Sequence, residues 1–232
     1  MNRYLLRFSC LHYEDSLTLK QVLIGYRCRV RYLFAAITIA SSCVCSADYV
    51  ITVPNARKIL NQEFKAEYTW EASTRANVKT WLAYGLNQAI EVALTSETVS
   101  PRDRICSFDL SYSIAYPFVN KIPGLSVGVI DGCNSSRDGR HFYLATSYDV
   151  GMTGQYNGNT PMTVVIGGFF GSMNGPFVGV TIPYTETFRL LAEHDTKHIT
   201  AGFEFKPAKE ASIRWMFRDQ TVMWSVGFSG SF

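Results

Sequence analysis

The chain of 232 residues carries 22 Lys and Arg against 19 Asp and Glu, a formal net charge of +3, and 47% of its residues are hydrophobic. No charge block or Pro/Ser-rich linker divides it, so we expect one structural unit. Residues 1–47 hold six of the basic and two of the acidic residues. The remaining 16 basic and 17 acidic residues give no argument for binding nucleic acid.

The first 47 residues predict a leader that contains a secretory signal. Within residues 27–47, three arginines precede a short apolar run, and small residues end at Ala47, which is the three-part order of a signal peptide. The apolar run is too short to span a bilayer, which takes roughly 20 residues. Cleavage after Ala47 would leave a lead-in segment, residues 48–61, ahead of a domain of residues 62–232.

Residues 62–232 alternate strand-length segments with short turn-rich breaks, and no helical period is sustained. We predict an all-β domain of twelve strands, or of ten or fourteen if one hairpin is miscounted. The predicted strands are 62–71, 76–86, 89–98, 105–117, 124–132, 140–149, 161–172, 175–184, 187–195, 198–207, 211–219 and 221–232. Their lengths suit a tilted crossing of the hydrocarbon core, which takes about 9 to 11 residues, better than a soluble sheet.

The segment FKAEYTWE (64–71) alternates apolar residues with charged or hydroxyl residues, and several later strands repeat this pattern. The charged residues assigned to the inner face are Lys65, Glu67, Glu71, Lys79, Glu91, Asp109, Arg189, Glu193, Glu204, Lys206, Arg214 and Arg218. Two interpretations stay open. These groups either pair and fill the lumen, or they segregate around a wet pore that selects an anionic or oligosaccharide solute.

In the last strand, TVMWSVGFSGSF, one face carries Trp224, Val226, Phe228 and the terminal Phe232, while the other face is small or polar. It resembles the C-terminal targeting strand of bacterial outer-membrane barrels. Together with the leader and the strand lengths, it predicts a closed antiparallel up-and-down transmembrane β-barrel in the outer membrane. A soluble periplasmic barrel or sandwich is the alternative.

Two cysteines, Cys106 and Cys133, lie outside the leader. They flank the hairpin of the fourth and fifth predicted strands, so folding that hairpin could oppose them at the separation that a disulfide needs. We predict a bond between them, against the alternative of two free thiols.

No catalytic constellation stands out in residues 48–232. His141, His194 and His198 are the histidines there, and the last two flank a tight turn. No further ligands have the spacing of a metal site, so solvated turn residues are the favoured interpretation. We predict no metal, no cofactor and no enzymatic activity.

Three stretches carry a family resemblance: VPNARKILNQEFKAEY, then GLSVGVIDG followed by GRHFYLATSYDV, and GPFVGVTIPYTETFRLLAEHDTKHITAGFEFKP. Together they resemble the YjbH-type outer-membrane proteins and related barrel families associated with exopolysaccharide production. The resemblance implies a barrel linked to exopolysaccharide secretion and brings no catalytic residues.

The first functional hypothesis is a non-enzymatic outer-membrane barrel that acts as a structural or narrow channel component. The alternatives are an outer-membrane enzyme acting on lipid or polysaccharide, and a soluble periplasmic binding module. The expected partners are outer-membrane lipid, the barrel-assembly machinery during insertion, and a polysaccharide or small polar solute.

Overall fold

The structure is a computed structural model that describes residues 49–72, 78–100, 103–151 and 160–231. Twelve strands fill most of these ranges. They are β1 (Glu63–Glu71), β2 (Val78–Gly85), β3 (Ile90–Ser100), β4 (Asp103–Ala115), β5 (Gly124–Ile130), β6 (His141–Val150), β7 (Met162–Gly171), β8 (Gly175–Pro183), β9 (Phe188–His194), β10 (Ile199–Ala208), β11 (Ala211–Arg218) and β12 (Thr221–Ser231). No helix among the described residues is long and apolar enough to cross a membrane.

The strands form one closed antiparallel barrel, in which each strand pairs with its neighbours along the chain. The ring closes between the first and last strands, in a register that runs from Glu63 opposite Ser231 to Glu71 opposite Met223. The predicted twelve-stranded up-and-down barrel is therefore confirmed. Closure leaves no sheet edge with unpaired backbone groups, which is the condition for β structure in lipid.

The two faces of the wall are opposite in character to those of a soluble barrel. In β6, Phe142, Leu144 and Tyr148 are exposed on the outside, whereas Ser147 and Asp149, on either side of Tyr148, are fully buried inside. Large apolar side chains are exposed on strands around the ring, up to 61% at Ile166 and 64% at Ile199. An apolar exterior around a polar interior is the arrangement of transmembrane barrels.

The two ends of the barrel are named here by their turns. The lower rim carries the turns 86–89, 116–123, 184–187 and 209–210, next to the start of β1. The upper rim carries the turns 131–140, 172–174, 195–198 and 219–220. Six of these eight turns have four residues or fewer, so the described part of the chain places most of its residues in the wall or the lumen.

The turn at residues 131–140 is organised by the buried carboxylate of Asp131. It accepts hydrogen bonds from the Ser107 hydroxyl at 2.6 Å, from the Ser135 amide at 3.0 Å and from the Ser136 amide at 2.7 Å. Burial acts to raise the pKa of Asp131, but these hydrogen bonds to the charged form outweigh it and hold the pKa well below its usual range.

The disulfide predicted between Cys106 and Cys133 is absent, since both cysteines are free and exposed. The β4–β5 ladder stops at the pair Leu110 and Val129, four residues short of Cys106. Beyond it the backbone turns at Asp131, whose φ of 56° is left-handed, so Cys133 never comes to lie opposite Cys106. Ser135 reaches that position instead and donates a hydrogen bond to the carbonyl oxygen of Cys106 at 2.8 Å.

Several predictions lie outside the described residues. They are the leader of residues 1–47, with its signal at 27–47, and the terminal Phe232. These remain predictions, as do the domain boundaries drawn around the leader.

Candidate functional site

The chain that precedes β1 lies inside the barrel. We call residues 49–61 the inserted segment. Its apolar residues at every third position are buried, with Val50 2% exposed and Val53, Ala56 and Ile59 at 0%. The segment has no regular secondary structure beyond a bridge between Tyr49 and Pro54, so its backbone groups need partners on the barrel wall.

The upper part of the inserted segment is held by one carboxylate. Glu193 of β9 accepts hydrogen bonds from three consecutive backbone amides, those of residues 51–53, at 2.9 to 3.0 Å. It also accepts one from the Thr52 hydroxyl at 2.5 Å. Hydrogen bonds to a charged acceptor are among the stronger ones, and Glu193 is only 3% exposed. We call this arrangement the Glu193 latch.

Serine hydroxyls hold the middle of the segment. The Ala56 amide donates to Ser147 Oγ at 2.7 Å, and its carbonyl accepts from Ser113 Oγ at 2.9 Å. The Asn55 carbonyl accepts from Ser126 Oγ at 3.1 Å. These serines come from β6, β4 and β5, so three neighbouring strands bind one stretch of extended backbone.

Charged groups complete the lower half of the segment. The Ile59 amide donates to Glu91 Oε2 of β3 at 2.9 Å, and Arg57 forms an ion pair with Asp149 of β6. The ammonium of Lys58, which is fully buried, donates to the Tyr143 hydroxyl at 3.1 Å. Polar contacts thus continue along the lower half of the segment, although the buried carboxylate of Glu63 at the start of β1 has no hydrogen-bond partner among the described residues.

Wall glycines provide the space that the segment occupies. A Cβ placed on Gly85 would lie 2.2 Å from the carbonyl oxygen of Leu60, and one on Gly124 would lie 2.7 Å from the Ala56 Cβ. At Gly179 an added Cβ would lie 2.9 Å from a Val50 methyl. Any larger residue at these positions would push on the segment, so the wall and segment fit each other closely.

Ion pairs fill the side of the lumen that faces β10, β11, β12 and β1. Arg214 contacts Glu67 and Glu204, each at 3.1 Å, and Ser225 Oγ donates to Glu67 at 2.7 Å. Lys65 lies 3.5 Å from Glu67, while Lys206 and Arg189 each lie 3.9 Å from Glu204. We call this group the Arg214 cluster. Arg214 is only 2% exposed.

Two cavities border the Arg214 cluster. The larger, about 260 Å³, opens toward the upper rim, and we call it the vestibule. Its floor includes Tyr49, Ile51 and Thr52 of the inserted segment. The smaller, about 20 Å³, lies near the lower rim between β10, β11, β12 and β1. Lys65 lines both cavities, with its ammonium 5.4 Å from the Trp81 ring, and so lies between them.

The structure distributes the predicted inner-face charges over three environments. Glu91 and Glu193 bind the inserted segment. The Arg214 cluster contains Lys65, Glu67, Arg189, Glu204, Lys206 and Arg214. The remaining four, Glu71, Lys79, Asp109 and Arg218, line the vestibule. In the targeting strand, Trp224 and Val226 are exposed and Phe228 is half-buried.

Sequence reasoning missed the inserted segment as part of the site. It named residues 48–61 only as a lead-in, because strand alternation is absent there. A signal was present, since the apolar residues Val50, Val53, Ala56 and Ile59 recur at every third position, which fits neither strand nor helix. Asp149, which pairs with Arg57, was also missed, although the alternation of β6 places it inside.

The histidines have separate surroundings. His141 is buried, with its Nδ1 2.8 Å from the Gly139 carbonyl oxygen and its ring edge-on to Phe169. His198 pairs with Asp219 at 2.6 Å between two upper-rim turns, and this hydrogen bond lowers the pKa of Asp219. Within the described ranges, no group of three or more His, Cys, Asp and Glu could hold a metal ion. The predicted lack of a metal and of a cofactor stays a prediction.

No family model and no curated protein matches the chain. Among solved structures, it is similar to a KdgM porin, with 10% sequence identity, a TM-score of 0.49, and coverage of 73% of this chain and 99% of the porin. A second structure, of KdgM porin in complex with disordered oligogalacturonate, has 10% identity, a TM-score of 0.47 and the same coverage. The resemblance to YjbH-type proteins stays a prediction, and the function is inferred from the residues themselves.

Proposed function

We propose that this protein is a non-enzymatic barrel of the bacterial outer membrane, and that it forms a narrow channel held closed by its own inserted segment. The segment closes one side of the lumen and the Arg214 cluster fills the other. Release of the segment would open a path from the vestibule to the lower rim.

The apolar exterior supports the membrane location. Exposed Leu94, Ile166 and Ile213 lie on strands spread around the ring. Contact of these apolar side chains with water would cost free energy. In a bilayer the same side chains contact acyl chains, and the closed ring satisfies the backbone. This argument also disfavours the alternative of a soluble periplasmic module.

The wall beneath the segment carries the argument for a channel. Buried polar groups stabilise a contact only when every one is paired, so a wall that presents several of them is suited to water as well as to the segment. Here the wall presents Ser113, Ser126 and Ser147 to the segment, with Glu193 above and Glu91 below them. Water could hydrate all five groups if the segment left, whereas the buried apolar clusters that Val50, Val53 and Ile59 form with the wall favour the closed state.

The vestibule suggests the class of solute. It is lined by Glu97, Asp138 and Asp195 together with Lys79 and Lys197. Charges of both signs at the mouth of a small cavity fit a small polar solute. The link to exopolysaccharide secretion rests on the family resemblance alone, and the lipid and assembly-machinery partners follow from the membrane location.

A reversible lock tests the proposal. The Cβ of a residue at position 179 would lie 3.3 Å from the Val50 Cβ, close to the 3.5–4.5 Å of a disulfide. The double variant Val50→Cys/Gly179→Cys, in a Cys106→Ser/Cys133→Ser background, would tie the segment to β8. The full chain is expressed in a Gram-negative host, the outer membrane is isolated, and single-channel conductance is recorded in planar bilayers.

We expect openings in the parent protein, none in the oxidised lock, and their return on reduction. The single variant Val50→Cys should behave as the parent does, and Gly179→Cys, whose Cβ would lie 2.9 Å from a Val50 methyl, should open at least as often as the parent under both redox conditions. A structural barrel would show no openings in any variant, and openings that persist in the oxidised lock would place the path elsewhere. Fractionation with boiled and unboiled electrophoresis tests the location: protein in the soluble periplasm would contradict it.

A further inference from the structure

A row of three inward-facing residues crosses neighbouring strands beside the latch. Thr200 of β10 lies opposite Glu193 of β9 on one side and opposite Arg218 of β11 on the other. With strands about 4.8 Å apart, the backbones at Glu193 and Arg218 are separated by roughly 10 Å. Two long side chains can span that distance above the Thr200 side chain.

Arg218 is incompletely paired in the closed lumen. Its Nε donates to Thr200 Oγ1 at 3.2 Å, while its Nη2 is buried and has no hydrogen-bond partner. A buried guanidinium nitrogen without an acceptor is costly, so the closed state leaves one donor unsatisfied at the vestibule wall.

The neighbouring charged groups have other partners, although Asp219 also interacts electrostatically with Arg218. Arg214, the other inward arginine of β11, holds Glu67 and Glu204. Asp219, which follows Arg218 in the chain, pairs with His198 in the upper-rim turns. Glu193 is the carboxylate that lies in register with Arg218, and the inserted segment occupies it.

We propose that Glu193 has two positions. In the closed lumen its carboxylate binds the backbone amides of residues 51–53, and in the open lumen it turns across Thr200 and pairs with Arg218. This inference rests on the proposed function, because it requires that the segment can leave. It assigns to Arg218 the role of stabilising the open state.

The exchange has a physical reason. If the segment leaves, Glu193 loses four donors at once, and a carboxylate in a narrow lumen is unfavourable unless it is hydrated or paired. The unpaired Nη2 of Arg218 supplies a charged donor. The turn of Glu193 from the segment to Arg218 would therefore give both side chains a partner. Because Glu193 has one position with the segment bound and another with it released, the segment would have two discrete states.

The test measures release of the segment with a thiol probe. Val53→Cys, in the Cys106→Ser/Cys133→Ser background, places a thiol at a position that is fully buried in the closed lumen. A small maleimide added to full-length protein in outer-membrane vesicles can react only when the segment leaves. Arg218→Met, which keeps the stem and removes the guanidinium, should slow labelling roughly tenfold, and Arg218→Lys should restore much of the rate.

Arg140→Met is the matched control, because Arg140 is an exposed cation of the upper-rim turn 131–140 that neither lines the vestibule nor takes part in the latch. It should label at the parent rate. In bilayers, Arg218→Met should shorten open dwell times and lengthen closed ones, because it removes the partner of Glu193 in the open lumen and the unsatisfied donor in the closed lumen. This readout does not depend on the probe cysteine.

The two proposals fail differently. If Arg218→Met labels and gates as the parent does, the second position of Glu193 is wrong and the proposed channel stands. If the Val53→Cys thiol never reacts in a folded barrel and no openings occur, the segment does not leave, and both proposals are wrong.

Discussion

The two sides of the lumen are closed in different ways. Toward β2 to β9, the filler is a separate stretch of backbone bound to serines and carboxylates. Toward β10 to β12 and β1, the filler is the side chains of the wall itself, centred on Arg214. In the proposed channel the segment moves away and leaves polar groups that water can hydrate, whereas the side chains of the Arg214 cluster belong to the wall and cannot leave it. The difference separates a movable closure from a fixed one.

The energetics of the two sides should differ accordingly. Each neutral hydrogen bond to the segment contributes about 0.5–1.5 kcal/mol. Removing one partner of a buried ion pair costs about 3–5 kcal/mol, because a charge is left uncompensated. Variants on the Arg214 side should therefore affect the stability of the whole barrel, and variants on the segment side should mainly affect closure.

The largest expected effect is that of Arg214→Ala. This substitution leaves Glu67 and Glu204 without the guanidinium that both of them contact inside the lumen. We therefore expect the free energy of unfolding to fall by about 3–5 kcal/mol. The measurement is urea unfolding of the barrel in lipid vesicles. Arg189→Ala is the control, because Arg189 is 3.9 Å from Glu204 and partly exposed, and it should cost far less. Equal losses in the two variants would contradict the central position of Arg214.

A smaller effect is expected from Gly85→Ala, on the segment side. The new Cβ would lie 2.2 Å from the Leu60 carbonyl oxygen and 2.6 Å from that of Ile59, so the lower end of the segment must shift. We expect this overpacking to destabilise the closed state by about 1–3 kcal/mol relative to the open state. Channel openings should therefore become more frequent, while the electrophoretic mobility of the unboiled barrel stays the same.

Gly168→Ala is the matched control for that variant. Its added Cβ would have contacts no closer than 3.5 Å, to the Phe170 ring, so closure should be unchanged. If Gly85→Ala gates as the parent does, the segment is not fitted to the wall in the way that the contacts indicate.

The smallest effect concerns the rim above the segment side and depends on pH. The pKa of Asp131 is lowered from its usual 3.8, so its contribution to the order of the 131–140 turn is fully present above about pH 4 and declines as the pH falls further. Proteolysis of this turn should be constant between pH 7 and 5 and should increase in acid. Asp131→Asn should cleave faster at neutral pH and show a flatter profile. A turn whose cleavage rises already at pH 6 would implicate another group.

The fold was predictable from the sequence because its two signals are local. Strand length indicates which segments can cross the membrane, and two-residue alternation, as in FKAEYTWE, indicates which face of each strand is apolar. The count of twelve strands follows from the turns between them. The ends of strands were less accurate. The fourth predicted strand reached residue 117, but β4 ends at Ala115, ahead of Pro117, which lacks a donor for the ladder.

The site was less predictable because its partners are distant in sequence. Alternation assigns Glu193 to the inside but says nothing of the segment 140 residues earlier that it binds. The sequence also left open whether the inner charges pair or line a wet pore. Near Arg214 they pair, and the pairing depends on strand register across β1, β10 and β11, which no single strand reveals. The Cys106–Cys133 prediction was wrong for a related reason, since a left-handed turn at Asp131 ends the ladder early.

The contacts of the inserted segment also impose an order on assembly. The inserted segment is bound by β3 to β6 and β9, all of which follow it in the chain, so its contacts cannot form until most of the wall exists. Once Glu63 to Glu71 has paired with β12, the ring is complete around it. The segment therefore docks only after most of the wall has formed, either before the ring closes or by entering it afterwards, and a bulky domain fused ahead of Tyr49 should slow that docking.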